Sequence, residues 1–91
     1  MSLYSDKKEA AYQGWENEVK PLGVSLDSYV KIINAADAAG DGNGSVKQDE
    51  MGMQLVQKIN RRELTYEQAE AIWHTIWSGA RSKTFYKWYN G

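Results

Sequence analysis

The sequence predicts an all-α fold, and three observations carry that expectation. Apolar residues recur at three- and four-residue spacing in four separate segments. No strand-type alternation of any length appears. The breaks between segments fall at capping residues or at Pro and Gly. With 91 residues, 42% of them hydrophobic, and with four Trp and six Tyr, the chain has the means to build one small core.

The first segment, roughly residues 5–20, carries Tyr12, Trp15, Val19 and then Leu22 along one face, with Lys7, Lys8, Glu9 and Glu16 elsewhere. Gly14 weakens this helix, and Pro21 followed by Gly23 stops it. Ser25 is the N-cap of a second helix with Leu26, Tyr29, Val30, Ile33 and Ala36 at helical spacing. The third, about 47–60, sets Met51, Leu55 and Ile59 in one stripe with Val56 beside it. Arg61, Arg62 and Glu63 form a short polar connection. Thr65 with Gln68 then makes a capping box, and Leu64 with Ala69 a hydrophobic staple. The fourth helix shows Ala69, Ile72, Trp73, Ile76, Trp77 and Ala80, and Gly79 is its expected stop. Phe85, Trp88 and Tyr89 are spaced for a short fifth helix. The expected organisation is a single domain over 1–91, with an N-terminal helix in 1–22 and a helical core in 23–91.

One stretch suggests chemistry. Asp37-Ala38-Ala39-Gly40-Asp41-Gly42-Asn43-Gly44-Ser45-Val46 runs on to Glu50, and its second half matches an EF-hand calcium loop, D-x-[DN]-x-[DN]-G followed by a closing Glu. With Gly44 at the loop's sixth position, Asp41 and Asn43 take the third and fifth. The Ser45 carbonyl takes the seventh, Val46 the apolar eighth, and Glu50 the bidentate twelfth. Calcium requires several oxygens converging from a tight turn, and Gly44 allows the positive φ such a turn needs. Ala39 falls at the first position and offers no side-chain oxygen. If Asp37 is the first ligand, the loop is a fourteen-residue variant, 37–50, with Ala38, Ala39 and Gly40 bulging at its entry. Two other readings stay open: an ordinary turn, and an EF-hand shape that binds nothing. The expected ligand set is Asp37, Asp41, Asn43, Ser45 and Glu50, the expected cofactor calcium, and the expected architecture EF-hand-like helix–loop–helix pairs. A second metal loop, at 78–84, is excluded because it holds no carboxylate.

The run Gly23-Val24-Ser25-Leu26-Asp27-Ser28-Tyr29, the Asp41–Ser45 loop and Leu64-Thr65-Tyr66-Glu67-Gln68 leading to Ile72 and Trp73 resemble a C-terminal module of prophage-type structural proteins from bacteria. The resemblance spans roughly Gly23 to Trp88, and the chain departs from it by two inserted residues at the loop entry. It implies a non-enzymatic domain of a phage-related protein, cytoplasmic or virion-associated, whose partners are other proteins or domains of a parent chain.

The remaining features constrain function mostly by exclusion. A net charge of −1 gives no bulk attraction to nucleic acid or to an anionic membrane. The absence of cysteine excludes disulfides and thiolate metal sites. No apolar run reaches bilayer length, and no signal-peptide pattern is present. His74 has no Asp or Ser partner by motif and reads as a partly exposed surface residue. Glu16, Glu18, Glu67 and Glu70 read as solvated, so no catalytic residue is expected. Segments three and four also imitate a DNA-binding helix-turn-helix, but Glu67 and Glu70 on its second helix would repel phosphate. In the tail, Arg81, Lys83, Phe85, Lys87 and Trp88 interleave cations with aromatics, a pattern for a partner surface or a nucleic-acid-binding module. The alternative is that Phe85 and Trp88 close over the core.

Overall fold

The computed structural model describes residues 8–39, 48–76 and Phe85. Among them there are helices and turns and no strand, so the fold is all-α. The elements are α1 (Lys8–Gly14), a π-helical turn (Trp15–Val19), a 3-10 turn (Lys20–Leu22), α2 (Leu26–Ala39), α3 (Gln48–Asn60) and α4 (Tyr66–Ile76).

The first segment departs from the single α-helix expected of it. It widens into a π turn after Gly14, closed by the Lys20 N–H donating to the Trp15 carbonyl, and then tightens around Pro21. Side-chain contacts hold that irregular path. The Trp15 indole N–H donates to the Val24 carbonyl at 2.8 Å, and the Lys20 ammonium lies 5.7 Å from the Trp15 ring centre. Gly23 closes the 3-10 turn at φ +90°, a conformation that costs a side-chain-bearing residue heavily. Trp15 and Val19 are buried as their spacing predicts, whereas Tyr12 is 38% exposed and only leans on Trp15.

α2 begins as the sequence implies. Ser25 Oγ accepts the Ser28 N–H at 3.2 Å, satisfying one otherwise unpaired donor of the first turn. Its inner face buries Tyr29, Ile32, Ile33 and Ala36. α3 buries Met51 and Leu55 and ends in a Schellman motif. There the Glu63 N–H reaches the Lys58 carbonyl at 2.9 Å, and the Arg62 N–H reaches that of Ile59 at 3.0 Å. Arg62 adopts φ +63° to make this possible.

α4 opens on the predicted capping box: the Thr65 N–H donates to Gln68 Oε1 at 2.9 Å, and the Gln68 N–H to Thr65 Oγ1 at 3.1 Å. Both staple residues, Leu64 and Ala69, are buried. α4 is the hub of the fold, since α1, the π turn and α3 all pack on it. Ala69, Ile72 and Trp73 form its buried face, and Phe85 lies 5.5 Å from both Trp73 and Tyr66, centre to centre. The expected continuation of this helix through Trp77 to Ala80 lies outside the described residues. No helix among the described residues is long and apolar enough to cross a membrane.

Candidate functional site

Of the five expected calcium ligands, the structure describes Asp37 and Glu50; Asp41, Asn43 and Ser45 lie outside the described residues. Asp37 sits in the last turn of α2 and is 1% exposed. Glu50 lies in the first turn of α3 and is half-buried. The two carboxylates therefore bracket the connection between those helices, one at each end. The loop entry differs from the expectation in one respect. Ala38 and Ala39 continue α2 rather than bulging from it, so any departure from helix begins after Ala39. Ile33 precedes Asp37 by one turn and is fully buried, which places the carboxylate on the inward face of the helix. A carboxylate in that position must be well partnered, because its ionised form loses its hydration there. No buried polar side-chain atom among the described residues lacks a hydrogen-bond partner. No group of three or more His, Cys, Asp or Glu side chains suited to a metal occurs among the described residues, three of the five expected ligands not being among them.

The tail set is corrected at one position. Phe85 is fully buried against Tyr66 and Trp73, so its ring serves the core and is not available to a partner. The physical reason lies in α4, whose two aromatic residues leave an apolar slot for a third ring. Arg81, Lys83, Lys87 and Trp88 lie outside the described residues.

Sequence reasoning missed one polar pair. Glu18 Oε1 and His74 Nδ1 are hydrogen-bonded between the π turn and α4, each side chain a little over a third exposed, at 37% and 38%. The residues are 56 positions apart, and no local pattern could have paired them. Beside them, Gly14 faces Thr75. A Cβ at Gly14 would lie 3.1 Å from that of Thr75, so the glycine marks a close approach of the N-terminal segment to α4. Thr75 is held in place there: its hydroxyl donates to the Ile72 carbonyl at 2.6 Å and accepts from the Tyr29 hydroxyl at 2.9 Å. The Glu18–His74 pair fastens the π turn to α4.

Comparison with protein-family models, with curated proteins and with solved structures gave no match to this chain.

Proposed function

We propose that the chain is a non-catalytic structural or interaction domain in which segment 37–50 holds one calcium ion. Asp37, Asp41, Asn43, the Ser45 carbonyl and Glu50 would be its ligands. The observation that supports this most is the burial of Asp37 at the end of α2, with Glu50 at the start of α3. A cation between two helix ends lowers the cost of holding several carboxylates close together, which otherwise repel one another. Because α2 runs through Ala39, Asp37 supplies its oxygen from within the last helical turn, and the ion joins α2 to α3. Calcium thus contributes to stability rather than to catalysis. The resemblance of the 23–29, 41–45 and 64–73 motifs to prophage-type structural modules supports a place in a phage-related assembly, with protein partners. The burial of Phe85 takes one aromatic out of the tail and so weighs against the nucleic-acid reading.

The test is a calcium titration of the metal-stripped protein, read by amide NMR and thermal melting. A saturable downfield shift of the Gly44 amide and a raised melting temperature are expected. At a hundredfold excess of calcium over Kd the gain is about 2.7 kcal/mol. Both responses should disappear in Glu50→Gln, which keeps the size of the side chain. No response at millimolar calcium would leave the loop as a turn only.

A further inference from the structure

A groove of about 580 Å³ opens between the outer face of α2 and the α3–α4 junction. Its floor is apolar, made by Val24, Ile32 and Leu64. Its rim is not balanced in charge. Lys31 from α2 and Lys58 from α3 line it together with Glu63, and a second recess that shares Glu63, Leu64 and Gln68 with it is lined by Arg62. With Asp27, the partner of Lys31, counted beside Glu63, three cations face two carboxylates, a local surplus of positive charge in a chain whose net charge is −1.

The cations are also free to exchange partners. Lys31 pairs with Asp27 at 3.1 Å, but those side chains are 77% and 79% exposed, so water competes for both. Lys58 lies 3.7 Å from Glu63, at the outer limit of an ion pair. Arg62 has no carboxylate partner among the described residues. The Gln68 side chain already spans the groove wall, its amide N–H donating to the Leu22 carbonyl at 2.9 Å. This wall is therefore fixed by a capping box and a tertiary hydrogen bond before any partner arrives, which reduces the ordering cost of binding.

We infer that this groove docks an acidic segment of a partner protein, placing an apolar side chain over Val24, Ile32 and Leu64 while its carboxylates meet Lys31, Lys58 and Arg62. Charge complementarity selects this occupant: a basic segment meets the same three cations and is repelled. The inference rests on the reading of the chain as an interaction domain and not on calcium, so the groove is tested separately from the metal.

The experiment is selection of random short peptides displayed on a surface against the full chain, followed by amide NMR mapping of the enriched sequences. Acidic peptides with an aliphatic or aromatic anchor are expected, with shifts at Val24, Ser28, Lys31, Ile32 and Leu64. The double variant Lys31→Glu/Lys58→Glu should weaken them more than about tenfold, the scale on which paired charge reversals at an interface act. Its melting temperature should stay close to that of the parent, since both lysines sit at the rim. A neutral variant, Lys31→Gln/Lys58→Gln, should fall between the two. Enrichment of basic or neutral peptides, shifts confined to another surface, binding that survives charge reversal, or no enrichment would each overturn the proposal. So would an oligonucleotide that gives the same shifts where acidic peptides give none. A calcium titration of the same sample keeps the two ideas apart: peptides that bind with no calcium response leave the groove standing and remove the metal.

Discussion

Arg62 is held at φ +63°, a conformation that costs a residue with a Cβ about 1–2 kcal/mol. The two hydrogen bonds of the Schellman motif, from Glu63 to Lys58 and from Arg62 to Ile59, require it. Glycine relieves the strain but gains freedom in the unfolded chain, which offsets about 0.5–1 kcal/mol. We predict that Arg62→Gly stabilises the protein by about 0.5 kcal/mol, measured by urea denaturation, because the arginine side chain is exposed and makes no ion pair among the described residues. A loss of stability would mean that its guanidinium matters to the fold. This cap was hidden in the sequence. No Gly or Asn stands at 62 to announce a left-handed residue, and the connection looked merely polar. By contrast Gly23, after Pro21, announced its turn openly.

At the scale of the element, Gln68 separates local from tertiary demands. The capping box alone prefers Glu or Gln at this position, and the positive end of α4 favours Glu by about 0.3–1 kcal/mol. The Gln68 amide N–H also donates to the Leu22 carbonyl, 46 residues away. Glutamate has no donor, so Gln68→Glu leaves that part-buried carbonyl unpaired, at about 1–3 kcal/mol, and brings a charge against it. The tertiary term is the larger. Gln68→Glu is expected to destabilise by about 1 kcal/mol, while Thr65→Ala, which removes only the cap, costs about the same for a purely local reason. Equal or greater stability of Gln68→Glu in thermal melts would show that the contact with Leu22 contributes little.

For the molecule as a whole, the decisive contact is the ring of Phe85 against Trp73 and Tyr66. Among the described residues it adds position 85 to a core whose other buried apolar side chains come from residues 15–73, and the ring is fully buried. Truncating such a side chain costs about 3–5 kcal/mol, a large share of the total stability of a small domain. Phe85→Ala should therefore shift the unfolding midpoint steeply or abolish cooperative unfolding, and Phe85→Leu should retain much of what Ala loses. A small effect in near-UV circular dichroism and in melting would place the ring at the margin of the core.

The sequence by itself determined the helices α2, α3 and α4, because the starts of α2 and α4 are set by capping residues within one turn and the buried faces of all three by a 3.6-residue repeat. Ser25, Thr65 and Gln68 act locally, so they could be read locally. Only the tertiary structure decided the rest. The π turn after Gly14 follows no nearby pattern: it is held by Trp15 on Val24, by Glu18 on His74 and by the close approach to Thr75. His74 and Glu18 each look solvated alone and become partners only once α4 lies against the first segment. The groove is likewise assembled from residues 23–35 and 58–68. Hydrophobic period and capping act over a few residues and are written in order along the chain. A contact between residues tens of positions apart depends on how the helices pack, and no short stretch of sequence records that.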